Sequence, residues 1–265
     1  MKESPFIYNH LELFMGDEQV RRYVCDTWLP QNSLSLDQLL KPSQEGKMFG
    51  VLVGKWCSDK PLPDDASWYN QEQQMVLLRA YSGQMNNVWS RPTWVPSLLD
   101  HCAVAAESWR TQKALHHYTK QIKELTLIKG ESKSDGQDIT SRLFTLKKAR
   151  RYLSQQHAQT LRKYTLLYSH EGKRISLANY WKTAGTGVGE CCAPKLISRA
   201  RLLRIDILGI AEFWWGPLPK KIQSDFIESR DVNIEQEGLS KQVTVSFYGP
   251  CKARCQPLLP LLLGP

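Results

Sequence analysis

The chain predicts an α/β fold: a body with a mixed sheet, formed by 1–103 together with 175–265, and an antiparallel, coiled-coil-like helical hairpin inserted at 104–174. Three observations carry this. Short apolar runs bounded by turn residues alternate with helical patterns on both sides of the insertion. The insertion contains no proline, and its only glycines are Gly130, Gly136 and Gly172. Charge is also unevenly spread: residues 104–174 hold 15 Lys and Arg against 6 Asp and Glu, while the remainder balances at 20 against 20.

The opening MKESPFIYNHLELF lacks the basic-then-apolar plan of an export signal, and no apolar run reaches the roughly 20 residues needed to cross a bilayer. A cytoplasmic protein with no membrane partner is expected. KMFGVLVG (47–54) and MVLLRAYSG (75–83) are short apolar runs that predict neighbouring strands joined by the polar stretch 58–73. In the insertion, Leu115, Tyr118, Ile122 and Leu125 recur at steps of three and four, which puts them on one stripe of a helix. Leu146, Leu153, Leu161, Tyr164 and Tyr168 repeat the pattern less regularly after the polar loop GESKSDGQD. Each helix is then expected to cover the other's stripe, with the hairpin projecting from the body.

Beyond the insertion, Gly185-Thr186-Gly187-Val188-Gly189 predicts a turn leading into a helix from about Pro194 to Leu203. The apolar strand IDILGIAEFWW follows, then a charged loop and a second strand, KQVTVSFYG. The terminal PLLPLLLGP is apolar but too short to span a membrane, and is expected to pack or to serve as a linker. Trp214 and Trp215, adjacent on a strand, point to opposite faces, which leaves at least one indole available to stack on a base, against the commoner alternative of core on one side and an interface on the other.

Of 265 residues, 42% are hydrophobic and 23% charged, with a net charge of +9. That composition belongs to a folded protein, not to a disordered or collagen-like chain. No GxSxG elbow supports serine hydrolysis, and HExxH is absent. The glycine turn at 185–189 fits neither the P-loop nor the dinucleotide fingerprint, because Lys195 comes too late and the third glycine too early.

Seven cysteines, an odd number without an export signal, argue against a disulfide framework. Cys25, Cys57 and Cys102 stand alone, as packing cysteines do. The other four cluster: Cys191 and Cys192 at the start of one helix, Cys251 and Cys255 after a strand and Pro250. A helix N-terminus favours the thiolate, so these four are candidate zinc ligands; three ligands leave an open, catalytic position and four make a structural site. Glu190, just before the pair, and Glu212, on the AEFWWG strand, are the candidate proton carriers. The competing reading is four reduced, buried packing thiols.

In the insertion, Lys147, Lys148, Arg150 and Arg151 form the densest cationic group, with Arg162 and Lys163 further along. They predict salt-sensitive, sequence-indifferent binding of nucleic-acid phosphates, against the alternative of a solvated helix face.

Two resemblances follow from strings rather than from periodicity. The cysteine arrangement looks like the zinc deaminase plan, in which one ligand opens a helix, a strand follows, and a Pro-Cys-x-x-Cys turn opens the next helix. Here Ala193 and Pro194 stand where that plan has its Glu, and three residues separate Cys251 from Cys255. More extensively, GKMFGVLVG, LLRAYSGQ, VPSLLD, GECCAPKL, AEFWWG and FYGPCKARCQPLLPLLLG resemble, in order over nearly the whole chain, the amino-terminal region of long RluA-type RNA pseudouridine synthases. In that family the catalytic domain follows and carries an HRLD-type motif whose aspartate attacks uridine. No such string occurs here, so that aspartate is carried over to no residue.

The resemblance implies an accessory module of RNA modification that holds structured RNA, tRNA or rRNA, for a separate pseudouridine synthase catalytic domain. The alternatives are a zinc-dependent deaminase-like enzyme acting on a nucleobase, and a structural or protein-interaction module pairing through Leu115, Ile122 and Leu153.

Overall fold

The computed structural model describes residues 18–40, 46–56, 61–62, 64–70, 74–131, 136–217, 229–234 and 243–264. Cys57, parts of the polar stretch 58–73 and most of the loop 216–242 lie outside the described residues. The chain divides into two compact units: 1–98 with 167–175 and 187–265, and 99–166 with 176–186.

The first unit is a sheet covered on both faces. Its helical entry runs through α1 (Glu18–Tyr23), a π-helical turn (Val24–Trp28) and α2 (Leu29–Leu39). Strands β1 (Lys47–Trp56), β2 (Ala66–Asn70) and β3 (Met75–Tyr81) follow. After the second unit come α6 (Cys192–Leu203), β6 (Ile205–Trp215), β7 (Ser229–Ile234), β8 (Val243–Tyr248), a 3-10 turn (Gln256–Leu258) and α7 (Leu259–Leu263). The sheet order is β2-β3-β1-β6-β8-β7. The predicted neighbours 47–54 and 75–83 pair as β1 and β3, and the strands predicted at IDILGIAEFWW and KQVTVSFYG are β6 and β8. Every described pairing in this sheet is antiparallel, so the body is α/β as expected but its sheet is antiparallel, not mixed.

Alternation along each strand decides which layer a residue joins. Phe49, Val51, Val53, Phe213, Trp215 and Phe247 point to one face and form a core with Val24, Trp28, Leu29 and Leu36 of the helical entry. Phe213 sits at its centre, stacked 6.1 Å from Phe49 and edge-on to Trp28 at 5.8 Å. Gly50, Leu52 and Glu212 belong to the opposite face, which α6 covers. Close approach there depends on glycine: a Cβ on Gly50 would lie 2.7 Å from Cys192 Cβ and 3.0 Å from Leu196 Cδ1. The terminal apolar string packs, with Leu258, Leu259, Leu261 and Leu262 buried.

Coverage of both faces also settles the tryptophans. Trp215 is buried and its Nε1 donates to Asp37 Oδ1 at 2.8 Å, and Trp214 is 9% exposed with its Nε1 donating to the Pro217 carbonyl at 3.1 Å. Neither indole is presented to a base, contrary to the expectation from alternation alone.

The second unit is the helical hairpin, α3 (His101–Glu131) and α4 (Gly136–Tyr164), with one further turn, α5 (Leu177–Tyr180); the short strands β4 (Leu166–Tyr168) and β5 (Arg174–Ser176), which precede α5 in the chain, fall mostly in the first unit. Asp100 N–H donates to the Tyr164 carbonyl at 3.0 Å at one end, and Arg150 Nε donates to Thr119 Oγ1 at 2.9 Å midway, which fixes the helices as antiparallel. Leu115, Ile122 and Leu153 are half-buried within the hairpin.

Candidate functional site

Two places hold the residues that the sequence singles out, one in each unit.

In the body, helix α6 starts against the sheet with Cys191 as its extended N-cap residue, φ −73° and ψ 163°, and the cysteine side chain makes no capping bond. The cap is supplied from β6. Glu212 Oε1 accepts the Ala193 N–H at 2.9 Å, so a strand carboxyl satisfies a backbone donor of the helix's first turn. The two cysteines part at this point. Cys192 turns inward, fully buried, its Sγ donating to the Met48 carbonyl at 3.3 Å. Cys191, in extended backbone, turns toward the turn after β8.

That turn carries the other two thiols. Cys255 N–H and Gln256 N–H both donate to the Cys251 carbonyl at 3.1 Å, folding the loop so that the sulfurs of Cys251 and Cys255 lie 3.2 Å apart. The sulfurs of Cys191, Cys251 and Cys255 all fall within 4.8 Å of one another. Cys251 and Cys255 therefore converge through a hydrogen-bonded turn, not along a helix face. Cys192 is not in the group, and three of the four candidate ligands make a cluster that can hold a metal ion.

The electrostatics of the cluster are those of one thiolate shared by three sulfurs. Hydrogen bonds from the Cys191 and Cys255 thiols, and then from backbone N–H groups of the turn, hold Cys251 well below the usual cysteine range. Cys191 and Cys255 are held far above it, since each loses its proton only by giving up that bond beside an existing charge and in a buried setting. Glu212 is fully enclosed, and burial pushes its carboxyl up to about 8, partly offset by the Ala193 N–H; the Cys251 charge raises it further.

Glu190 is occupied elsewhere. Its Oε1 accepts from Ser97 Oγ at 2.7 Å, and its Oε2 pairs with Lys195 Nζ at 3.2 Å. That ammonium is itself completely buried; it donates to the Tyr81 carbonyl at 3.0 Å and lies 5.3 Å from the Tyr81 ring centre. That buried pair holds the turn before α6, while Glu212 is the candidate carboxyl bonded to the first turn of the helix that Cys191 opens. Cys25, in the opposite core, is a packing thiol, raised by burial to about 11, whereas Cys102 is exposed on α3.

In the arm, the six predicted cations divide. Lys147, Lys148 and Arg151 are exposed; Arg150 is also exposed but bonded to Thr119. Lys147, Arg150 and Arg151 line an open groove of about 550 Å³ along one flank of the hairpin, with Lys123 of α3 across from them. Lys123 is the cation that sequence reading passed over; one turn from Lys120 on α3, it joins the others only once the helices are antiparallel. The remaining two hold the hairpin's base. Arg162 Nη1 donates to the Ala184 carbonyl at 2.8 Å, and Lys163 bonds Glu107 at 2.7 Å, with Tyr164 also donating to that carboxylate. Those bonds hold Glu107 below the usual carboxylate range.

Among the described residues no helix is long and apolar enough to cross a membrane. No family model, curated protein or solved structure matches the chain.

Proposed function

We propose that the chain is an RNA-binding accessory module of RNA modification, working in the cytoplasm, that grips tRNA or rRNA phosphates with the basic arm and presents the RNA to a pseudouridine synthase catalytic domain. The observation that carries this is the cationic flank of the hairpin: Lys147, Arg150 and Arg151 from α4 and Lys123 from α3 on one groove, with Lys148 beside it. Four or five phosphate contacts give an affinity that falls steeply with salt and is indifferent to sequence. Titration of labelled tRNA and rRNA fragments at rising salt tests it. Reversing the charges at 147, 148, 150 and 151 is expected to weaken binding about a hundredfold or more at low salt, and undiminished affinity in that variant sinks the proposal.

The body contributes a zinc, held by Cys191, Cys251 and Cys255. Thiolates are soft donors that suit zinc, and a tetrahedral ion with Zn–S of about 2.3 Å sits among sulfurs at about the spacing seen. Elemental analysis of protein purified without added metal or chelator, beside Cys251→Ser/Cys255→Ser, reads it directly.

A second reading, a deaminase-type zinc enzyme acting on a nucleobase, is favoured by one observation: Glu212 caps the helix that Cys191 opens and shares the buried space of the thiols. Three protein ligands leave a position for water, and a neighbouring carboxyl is what a proton carrier requires. Ammonia release from cytosine or adenine in RNA, lost in Glu212→Gln with zinc retained, distinguishes it from the accessory role.

A further inference from the structure

The outer face of α4 carries more than charge. At 100° per residue, Phe144, Lys148, Arg151, Tyr152 and Gln155 fall within about 100° of arc, on the side away from half-buried Leu146 and Leu153. All five are exposed, and the two aromatics are exposed most unusually: Phe144 by 70% and Tyr152 by 60%. They stand eight residues apart, about 12 Å along the axis, with Lys148 and Arg151 between them. Gln156 Nε2 donates to the Tyr152 hydroxyl at 2.9 Å and steadies the ring on the surface.

The helix holds seven Lys and Arg and only one acidic residue, Asp138 in its first turn. A face for another protein's apolar helix would be aliphatic and flanked by both signs of charge. Two flat rings separated by cations, on a helix this one-sided, match a ligand that alternates flat apolar surfaces with negative charge. A duplex does not offer this, because its bases are stacked on each other and only phosphates face out; unpaired nucleotides do.

We infer that this face is a stacking platform for unpaired RNA bases, with Phe144 and Tyr152 each taking a base and Lys148 and Arg151 the phosphates between them. This rests on the RNA-binding reading and narrows its ligand to RNA with exposed loops or single-stranded segments.

The test uses the full chain and two labelled RNAs: a hairpin with a purine-rich unpaired loop, and a blunt duplex of the same length. Wild type is expected to prefer the looped RNA. Phe144→Ala and Tyr152→Ala should each weaken loop binding about tenfold, within the range for losing one stacked base, while duplex binding and far-UV circular dichroism stay unchanged. Equal affinity for the two RNAs, or loop binding untouched by both substitutions, overturns the platform while leaving phosphate binding intact. No binding to either RNA removes the RNA-binding reading and the platform with it. Self-association by sedimentation that Phe144→Ala abolishes, with RNA affinity unaltered, assigns the face to a second copy of the chain and overturns it as well.

Discussion

In the body, three sulfurs converge within 4.8 Å because a helix start, a strand and a hydrogen-bonded turn are each fixed by packing. In the arm, the cations share a flank only because two helices run antiparallel, and most of their side chains end in solvent. The body site is thus specified by position and changes abruptly when one contact is lost. The arm is specified by sum and degrades by degrees, because exposed charges act collectively and through salt.

The sharpest break in this contrast lies at the thiols. Cys251→Ser/Cys255→Ser is expected to strip the metal and to lower the melting temperature markedly; at a metal concentration a thousand times the dissociation constant, the lost binding is about 4 kcal/mol. Chelator added to the wild-type protein should give the same melting curve as the variant, and RNA affinity through the arm should survive both.

Next in size is the pH dependence set by Glu212. Its carboxyl is raised by burial from 4.5 to about 8, so the folded state holds the proton more tightly than the unfolded chain does. The resulting stability is complete below about 4.5 and is lost as pH rises through about 8, a change on the order of a few kcal/mol. The depressed Cys251 thiol contributes with the opposite sign over the same range, so the Glu212 contribution is read as a difference: in urea unfolding of the metal-free protein between pH 5 and 8, wild type should lose stability relative to Glu212→Gln, which keeps an acceptor for the Ala193 N–H.

In the arm, reversing 147, 148, 150 and 151 should cost about a hundredfold or more in RNA affinity at low salt and shift the melting temperature little. Single reversals should each remove roughly one unit from the slope of log affinity against log salt. An all-or-none response to a single reversal would erase the contrast with the thiol site.

The smallest effect tests the packing beneath the thiols. Gly50→Ala places a methyl 2.7 Å from Cys192 Cβ, on backbone paired with Glu212, and is expected to destabilise by about 1–2 kcal/mol by chemical denaturation. Metal affinity should fall with it, because the start of α6 must move.

The elements that face the core on the period of their own secondary structure were readable from the sequence. The runs at 47–54 and 75–83 announce β1 and β3, and the leucine spacing announces α3 and α4. Strand β2, inside the polar stretch 58–73, was not readable, because an edge strand needs little apolar sequence, and β7 inside the charged loop shares that position at the other edge. Clustering marked the cysteines, but periodicity says nothing about which of two adjacent residues faces a turn from a distant segment. Cys191 and Cys192 differ only in backbone: one is extended before the helix and the other lies inside it. Glu190 and Glu212 were likewise equal in sequence, and a buried lysine at 195 separates them. The tryptophans misled because alternation tells which face a side chain joins, not whether that face is covered.

The three sulfurs also draw together chain positions about 60 residues apart. A bound ion there would close a loop of that length, which on chain-entropy grounds removes roughly 4 kcal/mol of freedom from the unfolded ensemble. Such a pocket does not exist in a nascent chain until residue 255 has been made and its turn has docked beside α6. Metal uptake would then come late in the order of assembly, and a filled site would certify that the start of α6 and the turn at 251–255 had found their places.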